Sequence, residues 1–271
     1  MMTNYILIDL SYFIFYRYFA LIQWWKLAKP DDDIGIPIEN EEFVEKFRKT
    51  FKEKLLDIKK KLKLKDADTK MIGARDCPRE NIWRNALFNT YKGTRVQDDE
   101  FMGGPFFKMA YAELLTPALC ETILKHDGLE ADDCIALTAK RIRGQNPDAN
   151  IFIIANDMDY LQIASDKTKI INLKFKNLQE SKSSYGNSAQ DLFCKIVLGD
   201  KSDNIPGIFK KCGPKMVVKY YEDRELFEKA LEKEPGARSN FERNRSIIDF
   251  EKIPKNMQED FYKTNWASTG I

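Results

Sequence analysis

The sequence predicts an α/β protein, in which a mostly parallel central sheet flanked by helices is followed by an all-helical C-terminal region. Up to about residue 185, short apolar runs that end in an acid alternate with helical segments, as in parallel sheets. From about residue 188 onwards only helical spacing remains. The polar segment SKSSYGNS lies between the two patterns. We therefore predict two parts, 1–185 and 186–271.

The composition favours an ordered protein in a reducing, cytoplasmic setting. The chain has 271 residues, of which 43% are hydrophobic, enough to bury a core. Five cysteines without a CxxC pair and a single histidine offer neither a zinc site nor a disulfide framework. The 44 basic and 42 acidic residues nearly cancel, so a nucleic-acid partner would need charge that is segregated on the surface.

Three predicted strands end directly in carboxylates. Asp9 lies at the end of the apolar run in YILIDL, KMIGAR leads into Asp76, and NIFIIAND ends at Asp157, with Asp159 two residues later. KIINL is predicted to be a fourth strand. Because ligands of open parallel sheets lie at the carboxyl ends of the strands, we expect these acids to converge if the strands are neighbours. The apolar N-terminal segment is predicted to be a buried strand and helix, since Asp9 and Arg17 interrupt it and argue against a signal or membrane segment.

Four further segments have a predicted local structure. Residues 41–64 form an amphipathic helix with a basic face, and residues 80–95 have helix-like spacing that breaks at Gly93. Residues 96–107 contain the breaker run GGP and are predicted to be a loop. In ETILKHDGLEADD the pattern indicates a helix end, a glycine turn, and a second helix that begins near Glu130.

Two more acidic groups accompany the strand ends, LEADD and LGDKSDNIPG. Any one of these acids is more often a helix cap or a turn residue than a ligand. Together they make nine carboxylates, which repel one another and raise their pKa values, a cost that a bound dication relieves. Oxygen-only ligation fits Mg²⁺ or Mn²⁺. Two such ions about 4 Å apart promote in-line attack of water on a phosphodiester.

Five motifs, in this order, resemble the 5′-3′ exonuclease and flap endonuclease family, whose core is related to PIN domains. They are DLSYFIFYRYFA, WRNALFNTYKGTR, GLEADD, ANDMDYLQI and GDKSDNIPGI…CGPK. The chain is similar to phage, viral or free-standing bacterial members, which would act in the cytoplasm of their cell or host. The resemblance implies a metal site made of Asp9, Asp76, Glu130, Asp132, Asp133, Asp157, Asp159, Asp200 and Asp203.

The resemblance also assigns roles to basic residues. Arg84, Lys92 and Arg95 match cations at the base of a helical arch, where they neutralise charge on the reacting phosphate. The arch itself would span about 92–118, and a single-stranded 5′ end would pass through it. Arg17 resembles the arginine that contacts this 5′ end.

The segment at about 203–222 resembles the family's helix-hairpin-helix element, which holds one phosphate of the uncut duplex, often through K⁺. Here the stretch IFKKC between Gly207 and Gly213 is one residue longer than usual and lacks the hairpin's first glycine. The departure argues against K⁺ at this element. It leaves direct phosphate binding open to Lys210, Lys211 and Lys215.

The expected function is that of a divalent-metal-dependent, structure-specific 5′ nuclease in DNA replication or repair, with RNase H activity on primers as a further expectation. The resemblance implies two Mg²⁺ ions, replaceable by Mn²⁺. Expected partners are DNA with 5′ flaps or 5′ ends, RNA-DNA hybrids, and replication proteins such as a single-strand-binding protein or a polymerase. We expect a monomer that does not bind membranes. Two alternatives stay open: a PIN-type ribonuclease, and a non-catalytic branched-DNA-binding protein whose acids are vestigial.

Overall fold

A computed structural model describes residues 3–65, 68–95, 100–117 and 119–266. Its centre is a five-stranded sheet in the order β3-β2-β1-β4-β5, and every pairing is parallel. The predicted α/β class with a parallel sheet is thus confirmed. The strands are β1 (Asn4–Asp9), β2 (Thr69–Ala74), β3 (Thr122–Leu124), β4 (Asn150–Ile154) and β5 (Thr168–Ile171).

Helices flank the sheet and then make up the C-terminal part of the described chain, where no strand follows β5. None of the described helices is both long enough and apolar enough to cross a membrane. The first five are α1 (Leu10–Ala28), α2 (Glu41–Lys61), α3 (Arg84–Leu87), α4 (Gly104–Met109) and α5 (Ala131–Gln145). The others are α6 (Ser188–Leu198), α7 (Pro214–Glu222), α8 (Arg224–Lys233), α9 (Ala237–Ile248) and α10 (Lys255–Trp266).

Both faces of the sheet are covered, which explains why its strands read as apolar runs. On one face Phe13 of α1, Phe47 and Phe51 of α2, and Phe106 of α4 form a fully buried aromatic cluster. On the other face α5 packs with α10, whose Phe261 is fully buried. The last helix therefore shares the core of the sheet, although it follows the boundary that the sequence predicts near residue 185.

The hairpin of α6 and α7 has an apolar cluster of its own. Phe193 and Val197 of α6 pack with Val217 and Tyr220 of α7. The connection between the helices is held against the end of α6, because the backbone N–H of Ile208 donates to the Val197 carbonyl at 3.0 Å. The segment predicted as a helix-hairpin-helix element, about 203–222, thus contains one described helix, α7, which packs against α6 ahead of the segment.

Two local predictions are wrong because tertiary contacts outweigh spacing. The residues expected to end a helix after Glu121 form β3, an edge strand that pairs with β2 from Ile72 to Ala74. Within 80–95 only α3 is α-helical, and Lys92 has a φ of 53°, which a right-handed helix does not allow.

The breaker run Gly103-Gly104-Pro105 was predicted to lie in a loop and instead begins α4. Proline fits the first turn of a helix because its missing N–H would have no partner there. Phe106, which follows, is fully buried and anchors the short helix to the core.

Candidate metal centre

Three acids lie where neighbouring strands end. Asp9 is the last residue of β1, and Asp76 and Asp157 come shortly after β2 and β4; these are the middle strands of the sheet. Asp9 also caps α1, because its carboxylate accepts the backbone N–H of Tyr12 at 3.0 Å. Asp76 accepts the backbone N–H of Ala131 at 2.8 Å. The first turn of α5 is thereby held beside the strand-end acids.

Burial and mutual repulsion dominate the electrostatics of this edge. Burial, and next the charge of Asp76, raise the pKa of Asp9 to about 8. Burial, and next the charge of Asp132, raise the pKa of Glu130 to about 7, although Lys92 opposes the shift. Such an excess of negative charge favours a bound divalent cation, which would stabilise the ionised carboxylates.

The start of α5 contributes three acids within one turn. Glu130 and Asp133 form a capping box, in which each side chain accepts a hydrogen bond from the other's backbone N–H. Asp132 lies between them and is half-buried. Oxygen atoms of Glu130, Asp132 and Asp133 lie within 4.8 Å of one another, a spacing that a metal ion could bridge.

Arg84 is buried beneath this turn, with only 2% of its surface exposed. Its Nη2 donates to Asp133 Oδ1 at 2.7 Å and its Nη1 to Asp133 Oδ2 at 2.8 Å and Glu130 Oε2 at 3.0 Å. Its Nε donates to the Ile247 carbonyl at 2.8 Å, and Trp83 Nε1 donates to Asp133 Oδ2 at 3.0 Å. Both oxygens of Asp133 are therefore engaged. The metal role of Asp133 and the phosphate role of Arg84 stay predictions.

Lys92 and its neighbours link Glu130 to Asp203. The Lys92 ammonium pairs with Glu130 Oε1 and lies 3.9 Å from Asp203 Oδ2. Burial would lower the pKa of Lys92, but the acids, Glu130 first, raise it above its usual value, so the side chain stays charged. Arg95 Nη2 donates to Asp203 Oδ1 at 2.7 Å. The Tyr91 hydroxyl lies 3.0 Å from Glu130 Oε2 and 3.2 Å from Asp203 Oδ2.

The loop LGDKSDNIPG has a fixed backbone shape. Asp200 and Ile205 exchange two backbone hydrogen bonds of 2.8 and 2.7 Å. Gly199, with a φ of 75°, allows this closure, because a Cβ there would lie 2.3 Å from the Ile205 carbonyl oxygen. The Asp200 carboxylate accepts the backbone N–H of Ser202 at 2.7 Å. These hydrogen bonds hold Asp200 against the backbone of its own loop.

A second acidic group lies beside the first. Oxygen atoms of Asp159, Asp200 and Asp203 come within 4.8 Å of one another. Lys195 of α6 pairs with Asp159, and its ammonium lies 2.7 Å from Asp200 Oδ2. Burial would raise the pKa of Asp200, but the charge of Lys195 outweighs it and lowers that pKa to about 2.

Sequence reasoning missed Lys195 and Asn244. Lys195 interrupts the apolar stretch FCKIV one helical turn before Gly199, a signal that could have identified it. Asn244 of α9 is fully buried, and its amide donates to the Ile196 carbonyl at 3.0 Å and to the Pro206 carbonyl at 2.8 Å. It thus ties both sides of the LGDKSDNIPG loop to α9, a contact that no spacing in the sequence predicts.

Of the remaining predicted site residues, Gly207 ends the LGDKSDNIPG loop, whereas the others belong to α1 and to the hairpin. Arg17 stands over the Tyr16 ring at 4.8 Å and lines a small cavity with Lys54 and Lys61 of α2. Gly213 is the N-cap of α7. The predicted phosphate-binding lysines of the hairpin, all exposed, are Lys210, Lys211 and Lys215.

Part of the predicted arch, residues 96–99 and 118, lies outside the described residues. The described part of 92–118 is packed against the body of the protein. After α4 a π-helical turn, Ala110–Leu114, follows, and Leu114 is fully buried in the core that α1 and α2 share.

Comparison with known proteins identifies the family of this chain from its sequence and related folds from its structure. Residues 4–190 match the model of the 5′-3′ exonuclease, N-terminal resolvase-like domain. The chain is 31% identical to DNA polymerase I of Treponema pallidum over 142 residues, which are 49% of this chain and 13% of the polymerase. It is 29% identical to a 5′-3′ exonuclease of Halalkalibacterium halodurans over 183 residues, 62% of this chain and 57% of that protein.

A solved structure extends the likeness over the whole chain. The bacteriophage T5 flap endonuclease, crystallised as a complex with DNA and metal ions, superposes with a TM-score of 0.67 at 14% identity, covering 99% of this chain and 100% of that one. At this identity the likeness is one of fold. The family match covers more than half of the chain, so this protein belongs to the 5′-3′ exonuclease N-terminal resolvase-like domain family.

Proposed function

We propose that the chain is a divalent-metal-dependent, structure-specific 5′ nuclease that hydrolyses DNA phosphodiesters at 5′ flaps and 5′ ends. One observation carries the proposal. Two groups of carboxylates, one at the start of α5 and one formed by Asp159 with the LGDKSDNIPG loop, lie on either side of a charged lysine, Lys92, which contacts both. A phosphodiester bound at this edge would lie beside both the metal ligands and a cation.

The donor set fits Mg²⁺. It consists of carboxylate oxygens, and burial with mutual repulsion raises the pKa values of Asp9 and Glu130, a cost that a dication would offset. We assign the nine acids of the sequence pattern to two metal positions. The α5 group with Asp9 and Asp76 would form one, and the other would consist of Asp157, Asp159, Asp200 and Asp203. Bound at both positions, Mg²⁺ would supply an activated water and stabilise the leaving oxygen.

The chain's own cations would bind and orient the phosphate. Lys92 is held at the edge by Glu130 and stays protonated, so it can offset charge that develops on the phosphate oxygens. Arg95 is half exposed and paired with Asp203, from which it could turn toward the strand. Lys195 orients Asp159 and Asp200. Arg84 would position the carboxylates of Glu130 and Asp133 through its hydrogen bonds to both.

The hairpin of α6 and α7 would hold the uncut duplex. The exposed lysines of the connection and the N-terminus of α7 offer cations and free backbone N–H groups to a phosphate. This arrangement supports direct binding rather than K⁺ coordination. Action on RNA-DNA hybrids and recruitment by replication proteins extend the same proposal.

A substrate panel tests the proposal. Labelled 5′-flap duplex, 3′-flap duplex, blunt duplex, single-stranded DNA and an RNA hairpin are incubated with the protein in Mg²⁺. We expect cleavage of the 5′-flap duplex near the junction and slower cutting from 5′ ends, with the 3′ flap left intact. Preferential cutting of the RNA hairpin would favour the PIN-type ribonuclease instead, and binding of the flap duplex without cutting would favour a non-catalytic binder.

A further inference from the structure

Tyr160 is a buried tyrosine that directly follows one of the predicted metal ligands. It comes after Asp159 in the motif ANDMDYLQI and belongs to a 3₁₀ turn, Met158–Ile163. Asp157 caps this turn, because its carboxylate accepts the backbone N–H of Asp159 at 2.9 Å. The turn that presents Asp157 and Asp159 therefore also fixes the backbone of Tyr160.

The ring of Tyr160 is part of the core between the sheet and α5. The residue has no exposed surface, and its ring lies 6.3 Å from that of Phe250. The same apolar cluster contains Ala74 at the end of β2, Ala155 directly after β4 and Ala131 at the start of α5. Each alanine comes one or two residues before a predicted metal ligand, and these ligands are Asp76, Asp157 and Asp132. The cluster that buries the ring therefore reaches the acidic edge.

The Tyr160 hydroxyl has no hydrogen-bond partner among the described residues, although it is buried. Other aromatic donors at this edge are paired, since Trp83 Nε1 donates to Asp133 and the Tyr91 hydroxyl lies 3.0 Å from Glu130 Oε2. A buried hydroxyl without a partner destabilises the folded state, and a buried tyrosine usually finds one. The Tyr160 hydroxyl therefore needs a partner that the described residues do not supply.

Four carboxylates act on this hydroxyl. Burial, and next the charge of Asp9, raise the pKa of Tyr160 well above its usual value, and the charges of Asp132, Asp157 and Asp76 add to the shift. The hydroxyl thus stays protonated. Since the Coulomb energy falls with distance, these charges indicate that the hydroxyl points toward the acids, which come from β1, from α5 and from the residues after β4 and β2.

A water molecule between the hydroxyl and the acids would complete these contacts. The hydroxyl makes no direct hydrogen bond to a carboxylate among the described residues, so its partner has to lie between them. A buried water needs two to four polar partners, which the hydroxyl and the acids provide. Mg²⁺ usually keeps several of its waters when carboxylates bind it. A neutral hydroxyl can accept from such a polarised water while its own proton faces the charge of Asp9.

We propose that Tyr160 is a positioning residue of the metal centre, whose hydroxyl holds a water ligand of the divalent cation on the core side of the acids. The inference rests on the proposed nuclease function and adds to its metal site a residue outside the nine acids. The hydroxyl touches neither the cation nor the substrate and acts through the water. Groups that hydrogen-bond to metal ligands in this way contribute about tenfold to a hundredfold to metal affinity.

Metal affinity tests the proposal without any substrate. Calorimetric titration with Mn²⁺ compares the parent protein with Tyr160→Phe, which removes only the hydroxyl and keeps the buried ring. We expect Tyr160→Phe to weaken Mn²⁺ binding by about tenfold. An affinity equal to that of the parent would overturn the positioning role.

The matched control is Tyr262→Phe. Tyr262 packs against the same apolar cluster, but its hydroxyl donates to the Leu137 carbonyl at 3.1 Å. Tyr262→Phe should leave the Mn²⁺ affinity unchanged. If it weakened Mn²⁺ binding as much as Tyr160→Phe does, the effect would belong to the core as a whole, and the role of the Tyr160 hydroxyl would be overturned.

Thermal unfolding separates this role from a purely structural one. In EDTA, Tyr160→Phe should keep or raise Tm, because it removes a buried hydroxyl without a partner, whereas Tyr262→Phe should lower Tm, because the Leu137 carbonyl loses its donor. On addition of Mg²⁺, Tm should rise less for Tyr160→Phe than for the parent. A Tyr160→Phe protein that is less stable than the parent in EDTA and gains as much from Mg²⁺ would overturn the proposal.

Cleavage of a 5′-flap duplex at increasing Mg²⁺ distinguishes a failure of this inference from a failure of the proposed function. Tyr160→Phe should need about tenfold more Mg²⁺ to reach half of its maximal single-turnover rate, and its rate at saturation should approach that of the parent. The same Mg²⁺ dependence in both proteins would overturn the positioning role alone. Weakened Mn²⁺ binding by Tyr160→Phe, together with a parent that cuts no substrate, would overturn the proposed nuclease and retain the positioning role.

Discussion

Lys92 and Asp203 are joined twice. The backbone N–H of Lys92 donates to the Asp203 carbonyl at 2.8 Å, and the Lys92 ammonium lies 3.9 Å from Asp203 Oδ2. Beside them Asn204 Nδ2 donates to the Thr90 carbonyl at 2.8 Å. The YKGTR turn, residues 91–95, and the LGDKSDNIPG loop are thus held together by hydrogen bonds, although about 110 residues separate them in sequence. The unit places a cation beside carboxylates of both acidic groups.

Lys92→Ala should slow the chemical step by about 10²-fold or more, because it removes the buried cation that would stabilise charge on the phosphate. Single-turnover cleavage of a 5′-flap duplex measures the rate, and anisotropy in Ca²⁺ measures binding, which we expect to change little. Lys92→Arg keeps the charge and should recover part of the rate. A single-turnover rate equal to that of the parent would remove Lys92 from the reaction.

Arg84→Met should lower the free energy of unfolding by about 3–5 kcal/mol, because it leaves the buried carboxylate of Asp133 without its cation. Urea denaturation followed by circular dichroism measures the loss. Arg84→Met combined with Asp133→Leu removes both charges and should recover stability. If Arg84→Met is as stable as the parent while cleavage collapses, Arg84 acts on the phosphate rather than on Asp133.

Asn244→Ala should lower the free energy of unfolding by about 1–3 kcal/mol, since the buried carbonyl of Ile196 and the partly buried carbonyl of Pro206 would lose their donor. Because Pro206 lies in the LGDKSDNIPG loop, metal binding should weaken as well. Asn240→Ala on the same helix, where the side chain only accepts from Arg243, is the control. Unchanged stability and unchanged metal affinity would contradict the bracing role of Asn244.

The metal-free protein should lose stability as the pH rises toward 8. The pKa of Asp9 is raised to about 8 and that of Glu130 to about 7, whereas unfolded carboxyls titrate near roughly 4. Between these values the folded protein binds more protons than the unfolded one, so the free energy of unfolding falls with increasing pH.

Thermal unfolding from about pH 5 to pH 8 in EDTA and in Mg²⁺ measures this dependence, with Asp9→Asn as the comparison. Mg²⁺ should raise Tm more at pH 8 than at pH 5, because fewer protons must be displaced. Asp9→Asn should flatten the profile in EDTA. A Tm that rises with pH in EDTA for the parent would refute the assignment of these pKa shifts.

Parts of this architecture could be predicted from sequence because they depend on local pattern. β1, β2 and β4 were recognisable as apolar runs, and the acid after each one marks the edge of a parallel sheet. β3 has three residues and no period to detect, and only its pairing with β2 makes it a strand.

Contacts between distant segments could not be predicted in this way. The hydrogen bond from Arg84 to the Ile247 carbonyl joins residues far apart in sequence. The family resemblance implies a role for Arg84 at the phosphate. In the structure its guanidinium is buried and donates hydrogen bonds to Glu130 and Asp133. Lys195 was missed for a related reason: in an amphipathic helix a lysine is usually solvated, and only the folded chain brings it to Asp159.

We propose that the acids of the sheet edge hold divalent cations for hydrolysis at a 5′ junction. The most direct test is cleavage of a labelled 5′-flap duplex by the parent and by Asp157→Asn, in Mg²⁺ and in EDTA, with binding measured in Ca²⁺. We predict cutting by the parent in Mg²⁺ only, and no cutting but retained binding for Asp157→Asn. Tight binding by the parent without cleavage in Mg²⁺, or robust cutting by Asp157→Asn, would contradict it.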